Sequence, residues 1–208
     1  MLNNFKGRAK QLDDIDLPKL GALIGVGEDE IHAVLDVETA GRGFDKQGRP
    51  VMLFEPHIFY RMLAKDPASQ AKAVSQGLAY PKWGERRYPA DSYPRLFAAM
   101  QISRDEALAS ASWGLGQIMG FNAHLAGYVS PEAMVTAFLD DEEEHLRAMV
   151  NFIIRAGLDD ELRRHDWRGF ARGYNGSGYE RNAYHTKLAA AYAKWARIKD
   201  TPWPEPHA

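Results

Sequence analysis

Cysteine is absent from the 208-residue chain. That removes disulfide staples, thiolate metal sites and a cysteine nucleophile. The 7 histidines show no spacing of metal ligands, so neither a metal nor any other cofactor is expected. No stretch approaches the ~18 consecutive apolar residues of a membrane span. The opening "MLNNFKGRAKQLDDIDL" has no apolar core of signal-peptide length. Charge of one sign is also lacking: the formal net charge is −2, which gives no global pull toward nucleic acid or anionic lipid. Repeats and low-complexity tracts are missing as well. The expectation is a monomer made in the cytoplasm, with no visible export signal and no nucleic-acid or membrane partner.

What is present is an ordinary globular composition, 45% hydrophobic and 26% charged residues. The pattern predicts a flexible segment over 1–12, one domain over 13–198 and a frayed tail over 199–208. A short helix is expected over 14–25, stopped by Gly25 and Gly27. Glu28, Asp29 and Glu30 favour the first turn of a second helix, which the dipole stabilises; it runs to about Thr39. "DKQGRP" reads as a turn and "VMLFE" as a strand, together a β-hairpin. Residues 66–92, rich in proline and aromatics, read as one long irregular segment. Ser103 to Glu106 form a capping-box pattern. Ser130-Pro131 opens the longest predicted helix, about 131–156, and short helices follow near 159–164 and 166–173. "GYNGSGY" reads as a glycine-rich turn before a last helix over 182–198. The fold class is mainly α (α+β), with one small β-hairpin.

One carboxylate stands where a core residue is expected. With Ile31 as origin at ~100° per residue, Val34, Leu35 and Glu38 lie within about 60°, whereas Asp36 points about 140° away. Glu38 therefore shares the buried stripe and ends the helix, where unpaired carbonyls oppose a negative charge. Burial and the dipole both favour the protonated acid, the form a general acid needs. The alternative is an ion pair with Arg42 or Arg49 at a solvated helix end.

Two further segments could bind a ligand. In "SASWGLGQIMGFN", Trp113 beside Gly114 and Gly116 could offer an aromatic face, and Gln117 carries both a donor and an acceptor. The alternative is a corner packed by Trp113 and Met119. In "GYNGSGY", Tyr174, Asn175 and Tyr179 sit among glycines that permit close backbone approach, or simply turn the chain. "DEEEHLRAM" puts Glu142 and His145 at E-x-x-H spacing. A di-iron bundle needs two such pairs, so this single one reads as a solvated helix face.

The order of a helix-ending Glu, a "G-L-x-Q" segment and a "Y-N-G" turn resembles the goose-type lysozymes and soluble lytic transglycosylases. Five segments, "VETAGRGF", "GRPVMLFEPHIFY", "SASWGLGQIMGFN", "DWRGFARGYNGSGY" and "KLAAAYAKW", are similar to the N-acetylmuramidase domain of phage and prophage endolysins, over roughly residues 15 to 195. The sequence departs from that family at Thr39, often Ser, at Pro56, often Arg, and at Gly116, usually a larger residue.

The resemblance implies a lysozyme-like fold and a peptidoglycan hydrolase that cleaves the β-1,4 bond between N-acetylmuramic acid and N-acetylglucosamine. Glu38 matches the acid. Gly114, Leu115 and Gln117 match the second motif, and Tyr174, Asn175 and Gly176 the third. Glycan strands of peptidoglycan are the implied partner. Release from the host cytoplasm to the wall through a holin is the implied route. Glu55 is a possible second carboxylate, with substrate positioning or a structural ion pair as alternatives. Two other functions stay open: a lytic transglycosylase giving 1,6-anhydro products, and a wall-binding or phage structural protein without activity.

Overall fold

The structure, a computed structural model, describes residues 2–38 and 41–203; of Asn3 and Glu38 it describes the backbone alone. The chain opens with helices α1 (Asp16–Gly21) and α2 (Glu28–Glu38). A turn leads to strand β1 (Met52–Phe54), then α3 (Pro56–Met62), α4 (Pro67–Ser75), α5 (Tyr93–Met100) and α6 (Arg104–Ala109). Strands β2 (Ala111–Trp113) and β3 (Ile118–Met119) follow. The rest is helical: α7 (Pro131–Phe138), α8 (Glu142–Arg155), α9 (Asp159–Arg163), α10 (Trp167–Asn175) and α11 (Tyr184–Trp195). The class is mainly α with one small antiparallel sheet, as the sequence predicts.

Local chemistry explains several of the starts. Ser130 accepts from the Ala133 N–H with Pro131 in the first turn, Asp166 accepts from Gly169, and Asp66 caps α4 through Ser69. The segment expected to be irregular over 66–92 thus holds a capped helix at its start, and only its remainder is irregular.

The strand pairing differs from the predicted hairpin. The "DKQGRP" turn does form: the Asp45 N–H donates to the Arg49 carbonyl (2.8 Å), and Phe44 and Pro50 make a single bridge. One further bond, from the Val51 N–H to the Gly43 carbonyl (2.7 Å), completes this short ladder. Strand β1 pairs instead with β2, Met52 opposite Trp113 and Phe54 opposite Ala111, and β2 pairs with β3.

The predicted single helix over 131–156 is two. The N-terminal segment takes the carbonyls at the break: Ala9 N–H donates to Leu139 (3.2 Å) and Lys10 N–H to Asp140 (2.9 Å). Asp141 then caps α8 by accepting from the Glu143 N–H (2.9 Å). Residues expected to form a flexible N-terminal segment are therefore hydrogen-bonded to the body of the molecule. Leu2 and Phe5 are buried, and the Phe5 ring stacks on Trp113 at 5.6 Å. In the tail, Thr201 donates its N–H to Glu28 (2.8 Å), while residues 204–208 lie outside those described.

Two hydrophobic clusters share α8. One gathers the sheet with α3, α5, α6 and α7 around Phe54, Phe59, Leu96 and Trp113. The other gathers α1, α2, α10 and α11 around Leu20, Ile31, Phe170 and Leu188. Ala148 of α8 faces the first, and Leu146, Met149, Val150 and Ile153 face the second. Among the described residues, no helix is long and apolar enough to cross a membrane.

Candidate active site

Helix α2 presents Ile31 and Val34, both fully buried, to the second cluster and ends at Glu38. The sequence pattern carries it to about Thr39, which lies outside the described residues. The Glu38 side chain and Ala40 also lie outside them. Of the two arginines weighed as its partners, Arg49 is committed elsewhere: it pairs with Asp45 (2.7 Å) and Asp91 (3.3 Å) and lies over the Tyr93 ring. Two cavities flank the chain that leaves α2, and both are bordered by Arg42. One of about 310 Å³ is lined also by Leu35, Leu115 and Trp195, the other, of about 340 Å³, by Asp45, Met52 and Tyr93.

The turn between β2 and β3 carries the "GLGQ" residues. Gly114 has φ +66° and Gln117 φ +47°, the latter uncommon for a residue with a side chain. The Gln117 amide stabilises the turn from inside. Its Nε2 donates to the Gly114 carbonyl (2.8 Å), and its Oε1 accepts from the Ser112 hydroxyl (2.9 Å). The Tyr174 hydroxyl donates to the Gly116 carbonyl (3.1 Å), so α10 closes on the same turn, with Asn175 as its last residue. A Cβ on Gly116 would press on Met149 (3.1 Å) and on that hydroxyl (3.2 Å). The small residue here, a departure from the family pattern, thus fits the close approach of Tyr174.

Two residues expected to touch a ligand are core residues instead. Trp113 is 0% exposed and donates its indole N–H to the Leu108 carbonyl (3.1 Å), so neither ring face is open. Strand pairing with β1 and the stacked Phe5 turn it inward. Tyr179 is 5% exposed, packs in the second cluster and donates its hydroxyl to Glu180 (3.0 Å).

Glu55 sits at the far end of the β1–β2 ladder, where its N–H donates to the Ser110 carbonyl (3.0 Å). The Gly114 N–H meets the Val51 carbonyl at the opposite end. Four residue steps, Val51 to Glu55, separate the two ends, about 13 Å. Glu55 Oε2 accepts from the Tyr88 hydroxyl (2.5 Å) and lies 3.1 Å from His57 Nδ1. Burial and this hydrogen bond push the Tyr88 phenol well above its ordinary range, and burial lowers His57.

The E-x-x-H pair is not on a solvated face. Glu142 and His145 are both buried, in line with Leu146, Met149 and Val150 on α8. The Gly43 N–H donates to Glu142 Oε1 (2.5 Å) and the Leu12 N–H to Oε2 (3.0 Å). His145 Nε2 donates to the Phe138 carbonyl (2.8 Å), while Nδ1 accepts from the Leu115 N–H (3.3 Å), which assigns the neutral tautomer. Burial lowers the His145 pKa from 6.5 to about 4, against smaller opposing pulls from the hydrogen bond to the Phe138 carbonyl and from the charge of Asp141.

The lowered value has a consequence for stability. The neutral imidazole is required in the fold, so its contribution is complete above pH 6.5 and is lost as pH falls toward 4. The loss is on the order of 3 kcal/mol. Urea unfolding between pH 7 and 4 should show wild type losing its advantage over His145→Phe, which keeps the ring packing but does not titrate.

The motifs therefore meet physically. The chain beyond α2 meets the Glu142 carboxylate through Gly43 and the His145 imidazole through Phe44, the turn meets the same imidazole through Leu115, and Tyr174 binds that turn one residue on. The family model for N-acetylmuramidase matches residues 28–196. The chain belongs to the N-acetylmuramidase family. The crystal structure of the Burkholderia AP3 phage endolysin is 38% identical with a TM-score of 0.82, and the match covers 91% of this chain and 73% of that one. A search of curated proteins finds no match. Every motif residue named above for this muramidase domain falls within the matched span. Among the described residues, no group of three or more His, Asp or Glu is placed to hold a metal ion.

Proposed function

We propose that this chain is a peptidoglycan hydrolase of the endolysin kind, which cleaves the N-acetylmuramic acid to N-acetylglucosamine β-1,4 bond with Glu38 as general acid. Glu38 protonates the leaving oxygen as positive charge develops on the muramic sugar. The observation that carries this reading is the convergence on α8: Gly43, five residues beyond Glu38, the "GLGQ" turn and Tyr174 are gathered by Glu142, His145 and the Gly116 carbonyl. A glycan strand seated on that turn lies beside the end of α2. Gln117 supports the turn's shape, and Tyr174 borders it from α10, which ends at Asn175.

We assign Glu55 to support of the β1 end and its Tyr88–His57 contacts, not to the reacting bond. The protein acts as a monomer and passes from the host cytoplasm to the wall through a holin. The test is clearance of outer-membrane-stripped cells and release of soluble fragments from purified sacculi. Clearance is the expected result. Protein that binds sacculi and never clears them would leave the wall-binding reading in its place.

A further inference from the structure

We propose that Glu142 and His145 together are positioning residues of the glycosidase site: a two-residue clasp on α8 that sets the spacing between the chain at Gly43, beyond α2, and the Gly114–Gln117 turn. The inference rests on the function proposed above and adds a specific device to it.

The clasp gathers three chain segments that are remote in sequence. Glu142 takes the Gly43 N–H on one carboxylate oxygen and the Leu12 N–H on the other, while its own N–H donates to the Lys10 carbonyl (2.9 Å). His145, one turn on, takes the Leu115 N–H. A buried carboxylate without partners is costly. Here two backbone donors and the first-turn position of α8 stabilise it. Glycines make the close approach feasible. A Cβ on Gly43 would collide with His145 Nδ1 and lie 2.9 Å from Glu142 Oε1, and one on Gly114 would lie 2.8 Å from His145 Cγ. Phe44 and Phe138 rings cover the imidazole at 5.0 and 4.3 Å, so it has no room to swing away. His145 is fully enclosed, and Glu142 borders the cavity of about 310 Å³ only at its edge, with each of its oxygens already holding a backbone N–H. Their effect on chemistry passes through the segments that they hold.

A positioning role and a merely structural one predict different kinetics. Misplacing a reacting group lowers turnover steeply, whereas loss of general stability well below the melting point does not. The test compares wild type, Glu142→Gln and Leu63→Ala on dye-labelled sacculi. Leu63→Ala removes a buried leucine of the first cluster and serves as a stability-matched control. All are assayed at a temperature where each is fully folded. Glu142→Gln keeps the shape but turns an amide N–H toward a backbone donor. The expected result is a kcat lower by about 10- to 100-fold with apparent KM within about twofold, and no such fall in the control. Equal kcat values for wild type and Glu142→Gln would overturn the clasp while leaving the hydrolase reading intact. An inactive wild type would instead strike the hydrolase reading. Should Glu142→Gln not fold, the wild-type Gly43 amide proton decides. A carboxylate acceptor at 2.5 Å predicts a far-downfield, slowly exchanging signal, and an ordinary, fast-exchanging one would contradict the contact.

Discussion

Replacing Glu38 by Gln is expected to lower lysis of stripped cells by about 10²- to 10⁴-fold, the usual worth of a positioned proton donor, while leaving melting temperature and binding to sacculi unchanged. The amide keeps the size of the acid and removes the transferable proton. Glu55→Gln supplies the contrast: its carboxylate is engaged by Tyr88 and His57 at the other end of the ladder, and turnover should fall by less than about tenfold. An active, well-folded Glu38→Gln protein would withdraw the assignment of the acid.

Trp113→Ala should destabilise the fold by about 3–5 kcal/mol, the range for deleting a large buried aromatic. The ring is fully enclosed, stacks on Phe5 at 5.6 Å, meets Tyr93 edge-on at 6.5 Å and hydrogen-bonds Leu108. In a chain of this length that corresponds to a fall of roughly 6–20 °C in melting temperature. Trp113→Phe, by contrast, should retain its affinity for sacculi. A Trp113 variant with unchanged stability and weakened glycan binding would return the residue to the sugar-binding role that its glycine neighbours suggest.

These two residues show how far the pattern of the chain reaches. Helix α2, Glu28–Glu38, was legible because helical spacing and the acidic first turn at Glu28–Glu30 mark it in the chain. Both are local properties of the chain. The helices after Gly157 were legible for the same reason. Trp113 was not. A strand of three residues carries too little alternation to say which way its side chains point. Its orientation depends on pairing with Met52 and on Phe5, contacts remote in sequence. Phe5 itself is a lone aromatic in a polar segment, with no periodicity to mark it as core.

The reading of Glu142 and His145 failed for a different reason. They continue the stripe Leu146, Met149, Val150 and Ile153 at helical spacing, the same kind of signal that singled out Glu38. Run-on acidic neighbours, Glu143 and Glu144, hid it and made the whole turn resemble a solvated face. Asp141 followed by three acids also marks a helix start, so the break between α7 and α8 was present in the chain but masked by the apolar pattern on either side.

The most direct measurement of the account is mass spectrometry of the sugar ends released from sacculi digested in water enriched in heavy oxygen. The account predicts muramic acid reducing ends that carry the heavy isotope. Muramic ends lighter by one water, the 1,6-anhydro product, would contradict hydrolysis, and heavy label on glucosamine ends would contradict the choice of bond.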